Sequence, residues 1–116
     1  MNEFYKKDII SIKDFDKAQL EQIFASTDKI MKLDPMERRE ICKGNTLGYL
    51  FYEPSTRTRL SFNAAMASVG GSSLGISDIA SSSTKKGESL ADTIRIMSIY
   101  SDILVLRHPL DGSSRF

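Results

Sequence analysis

Thr46-Leu47-Gly48-Tyr49-Leu50-Phe51-Tyr52 runs straight into Glu53-Pro54-Ser55-Thr56-Arg57-Thr58-Arg59-Leu60, and the fold is decided where one half gives way to the other. The first half is mostly apolar or aromatic and short, and reads as a buried strand. Pro54 breaks it, because a proline cannot donate to a strand ladder. Ser55 is a good helix N-cap, and the residues after it read as a helix with Leu60, Ala64, Ala65 and Val69 on its inner face, stopped by Gly70-Gly71. A strand therefore passes to a helix across only the three residues Glu53, Pro54 and Ser55.

The same alternation continues outward in both directions. Toward the C-terminus the pattern predicts a short strand at 73–77, a Ser/Thr-rich loop, and a helix at 88–100 with Leu90, Ala91, Ile94, Met97 and Ile99 mostly inside. A buried strand follows at 103–106, stopped by Pro109. Toward the N-terminus, the charged stretch 36–43 reads as a short helix ending at Gly44, and 17–33 as an amphipathic helix that stops before Pro35. Asp16 and Gln19 have the spacing of a capping box, with Phe15 and Leu20 at staple positions behind a small apolar patch of Ile9, Ile10 and Ile12.

Strands alternating with helices, without a hairpin signal, imply right-handed crossovers. The expected fold is α/β, a parallel sheet flanked by helices in three layers. The 116 residues leave room for one such domain, expected to span 1–116. A hydrophobic share of 41% and a charged share of 27% are ordinary for a packed chain and argue against disorder. Sixteen Lys+Arg against fifteen Asp+Glu leave a net charge of +1, so no whole-molecule field favours nucleic acid or a membrane, and any anion site must be local. One cysteine, one histidine and no apolar run near the ~20 residues of a membrane span set the expectation of a soluble, cytoplasmic protein without a Cys/His metal site.

In open α/β sheets, ligands bind beyond the carboxyl ends of the strands. After the first strand, Ser55-Thr56-Arg57-Thr58-Arg59 opens a helix, so first-turn N–H groups, hydroxyls and a guanidinium point toward one small volume suited to a phosphate. The alternative is that Ser55 is an ordinary cap and Arg57 and Arg59 are surface charges. Arg107 ends the strand at 103–106 on the same sheet edge; it either converges on that volume or pairs with Glu53 or Asp111. Between them, the loop containing Ser82, Lys85 and Lys86 reads either as a lid or as a solvated linker. His108 and Cys42 read as structural.

At this point the residues resemble a known family. Phe51-Tyr52-Glu53-Pro54-Ser55-Thr56-Arg57-Thr58-Arg59-Leu60-Ser61-Phe62 is similar to the carbamoyl-phosphate motif of the aspartate/ornithine carbamoyltransferases. Lys85-Lys86-Gly87-Glu88-Ser89-Leu90-Ala91-Asp92-Thr93 resembles their mobile loop and next helix, and Arg107-His108-Pro109-Leu110-Asp111-Gly112-Ser113-Ser114-Arg115 their strand-end segment in the aspartate branch. The likeness runs from the N-terminal helix to the last residue and corresponds to the family's carbamoyl-phosphate-binding domain. The family's second, amino-acid-binding half has no counterpart in this sequence, and His108 does not stand in for the histidine of that half.

The resemblance implies roles position by position. Ser55, Thr56, Arg57 and Thr58 are expected to bind the phosphate of carbamoyl phosphate, with Thr58 and Arg107 also reaching its carbonyl oxygen. Ser82 and Lys86 are expected to enter a neighbouring subunit's site in a homotrimer, and Glu53 to help set the arginines. Arg57, Thr58, Arg107 and Lys86 are the expected catalytic groups for transfer to L-aspartate in pyrimidine synthesis, without metal or organic cofactor. The chain is expected to be an excised or truncated domain, with aspartate bound only through the second half and regulatory chains as further partners. An isolated binding and oligomerisation module and an ornithine-type enzyme are the competing readings.

Overall fold

The computed structural model describes residues 3–77 and 90–108. The chain divides into two compact units at Leu33 and Asp34. In the first, a 3-10 turn (Ile12–Asp14) precedes helix α1 (Lys17–Met31). The expected capping box is formed: Asp16 Oδ1 accepts the Gln19 N–H at 2.8 Å and Gln19 Oε1 accepts the Asp16 N–H at 3.0 Å. Phe15, at the staple position, stacks on Phe4 with ring centroids 6.1 Å apart.

The second unit contains α2 (Pro35–Arg38), β1 (Thr46–Phe51), α3 (Thr56–Ser68), β2 (Ser72–Ser77), α4 (Leu90–Tyr100) and β3 (Ile103–Arg107). The short charged helix starts a residue early, with Pro35 at its first turn and the Asp34 side chain capping it. It gives way to turns before Gly44, well short of the expected 36–43. All strands are parallel, in the order β2-β1-β3.

β1 is central and its two faces serve different helices. Side chains alternate across a strand. Leu50 packs with Met97 of α4, Tyr52, Ile94, Leu104 and Leu106 joining them, while Phe51 lies on the α3 side beside Ser55 and Thr56. A Cβ at Gly48 would meet Ser101 Oγ at 2.7 Å and Met97 Cγ at 3.0 Å, so this glycine lets α4 approach the sheet closely. The chain leaves β1 toward β2 and returns past it to β3, and right-handed crossovers then put α3 and α4 on opposite faces. The expected three-layer α/β arrangement is present.

Three packing expectations need correction. Leu60 is 52% exposed, and Ala64 and Ala65 also face out, so they do not form the inner face of α3. The inward row is Ser55, Arg59, Asn63 and Met66, stepping by four, four and three residues, with Thr58 beside Arg59. Ile99, expected mostly inside α4, is 79% exposed, because the buried row there runs through Thr93 (5%) and Met97 (7%), and a residue two positions on points the other way. β3, expected as a buried strand, lies at a sheet edge among the described residues, with Ile103 exposed. Gly70 ends α3 with φ +91, and a side chain there would overlap the Arg39 carbonyl.

Candidate anion-binding site

The β2-β1-β3 order makes the carboxyl end of β1 a topological switch point, where loops leading to opposite faces separate and open a crevice. Phe51 and Arg107 are paired in register, so β1 and β3 end level. One more ladder bond follows, from the Tyr52 N–H to the Arg107 carbonyl at 2.8 Å. It fixes the Arg107 backbone beside the exit of β1. The next residues reinforce this: the His108 ring lies against Tyr52, with centroids 4.8 Å apart.

From that anchored backbone the Arg107 guanidinium crosses to α3. Nε donates to Glu53 Oε1 at 2.7 Å, and Nη1 donates to Thr58 Oγ1 at 3.2 Å. The sequence left open whether Arg107 pairs with an acid or converges on the α3 helix start; it does both. Asp111, the other candidate acid, lies outside the described residues. A partly exposed ion pair contributes ~0–1 kcal/mol, so the effect of Glu53 is chiefly to aim the guanidinium. Arginine's planar fork has five donors, and the two bonds shown leave others for a ligand.

Ser55 does not behave as an ordinary cap. It holds the N-cap position of α3, yet its side chain makes no capping bond, and its buried Oγ has no partner among the described residues. A buried hydroxyl left unpaired costs ~1–3 kcal/mol, a deficit that an incoming acceptor or donor can remove. The first-turn N–H groups of α3 likewise receive no side-chain cap. Together with the helix dipole they form an anion-attracting surface. Ser55 borders a small cavity of about 60 Å³, lined also by Phe51, Pro54, Thr56, Arg59 and Ser77. That suits a compact oxyanion, far below the ~300–1,000 Å³ of a typical organic-ligand pocket.

The expected residues thus divide. Ser55 and Thr56 border the cavity on the β2 side, and Thr58 meets Arg107 on the β3 side. Arg57 lies exposed on the first turn of α3, its guanidinium making no ion pair or hydrogen bond among the described residues. Ser82 and Lys86 lie outside the described residues. Arg59 and Ser77 are additions that the sequence reading did not select. Arg59 is one helical turn after Ser55 on the same stripe, and Ser77 pairs in register with Phe51. Among the described residues, no group of three His, Cys, Asp or Glu is placed to hold a metal ion, and no helix is long and apolar enough to cross a membrane.

Residues 7–116 match the family model for the aspartate/ornithine carbamoyltransferase, carbamoyl-P binding domain. The aspartate carbamoyltransferase catalytic subunit of Nitrosopumilus maritimus is 84% identical over 116 residues, which is 100% of this chain and 38% of that protein. The one from Cenarchaeum symbiosum is 68% identical over 113 residues, 97% of this chain and 37% of the relative. Among solved structures, the catalytic subunit of M. jannaschii aspartate transcarbamoylase superposes with a TM-score of 0.86 at 47% identity, covering 94% of this chain and 36% of that one. Aspartate transcarbamoylase from Trypanosoma cruzi, in complex with carbamoyl phosphate and aspartate, gives 0.82 at 38% identity, covering 94% and 36%. The chain spans between 36% and 38% of the length of these relatives.

Proposed function

The chain belongs to the aspartate/ornithine carbamoyltransferase family, and from that premise we propose that it is the carbamoyl-phosphate-binding part of an aspartate carbamoyltransferase. In this reading residues 1–116 form the carbamoyl-phosphate domain. Ser55, Thr56, Arg57 and Thr58 hold the phosphate, and Thr58 and Arg107 reach the carbonyl oxygen. The observation that carries the reading is the 3.2 Å contact from Arg107 Nη1 to Thr58 Oγ1, which brings a strand-end guanidinium to a helix start across the switch point.

The reaction is attack of the L-aspartate amine on the carbamoyl carbon. A new C–N bond forms, the C–O bond to phosphate breaks, and N-carbamoyl-L-aspartate and phosphate result. Negative charge grows on the carbonyl oxygen and then on the leaving phosphate, where Arg57, Arg107, Thr58 and the α3 dipole stabilise it. Holding the two reactants in line supplies the remaining acceleration. Neither a metal nor an organic cofactor enters this chemistry. The assembly is a cytoplasmic homotrimer in which Ser82 and Lys86 reach a neighbour's site, with regulatory chains as further partners.

Carbamoyl transfer to aspartate tests the proposal. In the full-length protein, turnover is expected with aspartate and not ornithine, and Arg107→Ala is expected to lower the rate roughly 100- to 1,000-fold. Transfer to ornithine alone, or full activity without Arg107, would contradict it. A second reading applies to the 116 residues taken by themselves. They align with only 36–38% of each relative, which favours binding of carbamoyl phosphate without turnover.

A further inference from the structure

Arg59 differs from Arg57, Arg95 and Arg107 in its setting. It sits on the inward stripe of α3, half-buried, with its N–H bonded to the Ser55 carbonyl at 2.9 Å. It lines the same cavity as the buried, unpartnered Ser55 hydroxyl. By contrast Arg57 lies exposed, Arg95 is paired with Asp92 at 3.1 Å, and Arg107 is engaged by Glu53 and Thr58. The Arg59 guanidinium makes no ion pair or hydrogen bond among the described residues. A half-buried cation on an inward helix row, with no acid paired to it among the described residues, is costly unless an anion completes it.

We infer that Arg59 is a further binding residue of the anion site, closing the β2 side of the cavity around a phosphate group that Arg107 approaches from the β3 side. This deepens the proposed function and rests on it. The first turn of α3 then serves one ligand with two faces. Ser55, Thr56 and Arg59 line the side toward Ser77 at the end of β2, while Thr58 faces the end of β3. Opposed guanidinium groups suit a dianionic tetrahedral group, which offers oxygens in several directions; a monoanionic planar carboxylate cannot satisfy both equally. Arg59 therefore adds selectivity for phosphate over carboxylate at the same helix start.

The test is calorimetric titration of the full-length protein with inorganic phosphate and, separately, acetate. Arg59→Ala is expected to weaken phosphate binding about tenfold, as the loss of one charge-assisted contact does, and to narrow the preference for phosphate over acetate. Arg59→Lys is expected to recover part of the affinity, and Arg95→Ala to leave it unchanged. Without phosphate, Arg59→Ala is expected to melt close to the wild type, since both residues suit a helix. Weakened binding in Arg107→Ala with unchanged binding in Arg59→Ala would overturn this inference alone. Unchanged binding in both would overturn the proposed site with it.

Discussion

α3 and α4 pack on opposite faces of one small sheet, and their inward rows have opposite chemistry. In α4 the row is Leu90, Thr93, Ile94 and Met97, joined to Leu50 of β1 and Leu104 and Leu106 of β3. In α3 it is Ser55, Thr58, Arg59 and Asn63 before it reaches Met66, and the Oγ of Ser55 and Oδ1 of Asn63 are buried without partners among the described residues. α4 packs its row on mostly apolar neighbours and contributes to stability, with the Tyr52 hydroxyl on that side buried without a partner among the described residues. α3 leaves polar groups inside at a cost in stability, which is where binding sites depart from good packing. Substitutions on the two rows should therefore separate function from stability.

The largest effect is expected at the point where α3 meets β3. Arg107→Ala should cost two to three orders of magnitude in carbamoyl transfer, on the order of 100- to 1,000-fold, and little in denaturant midpoint, since its pair with Glu53 is partly exposed. A loss of stability equal to the loss of rate would erase the contrast. Met97→Ala, on the α4 row, should do the reverse. Removing a side chain that is 7% exposed and packed on Leu50 should destabilise by about 2–5 kcal/mol in urea unfolding, with phosphate affinity per folded molecule unchanged.

Two smaller changes act on the same two faces. Gly48→Ala would push a methyl group against Ser101 Oγ and Met97 Cγ, and should cost about 1–3 kcal/mol by lifting α4 from the sheet, measured by thermal or chemical unfolding. Ser55→Ala carries the smallest stability change and the most diagnostic one. A serine that caps its helix loses about 0.5–2 kcal/mol on replacement by alanine. Here the hydroxyl makes no capping bond and is buried without a partner among the described residues. Its removal is therefore expected to be neutral to stabilising, not destabilising, and to be accompanied by weaker phosphate binding. A full capping loss with intact phosphate affinity would return Ser55 to the ordinary role.

Much of this was legible in the sequence, for identifiable reasons. The apolar run at 46–52 followed by Pro54 and Ser55 announced the strand-to-helix passage, and the Asp16/Gln19 spacing announced the start of α1. Strand ends carry ligands in this class of sheet, so Arg107 and the residues from Ser55 to Thr58 could be assigned to one edge without coordinates. The packing of α3 was not legible, because the apolar residues Leu60, Ala64 and Ala65 suggested a stripe that the helix turns outward. Hydrophobic periodicity finds the inner face of a helix only when that face is dry. On α3 the inner face is largely polar, so the rule pointed away from Arg59 and Asn63. Ser77 was hidden similarly, as a polar strand end whose neighbour across the ladder, Phe51, belongs to the same cavity wall.

A crystal structure of the protein with phosphate bound tests most directly whether the two sheet edges meet on one anion. Phosphate oxygens should lie within about 2.7–3.2 Å of Ser55 Oγ, the first N–H groups of α3 and an Arg107 guanidinium nitrogen simultaneously. Phosphate bound elsewhere, with Ser55 Oγ still unpartnered and Arg107 held only by Glu53 and Thr58, would contradict the account.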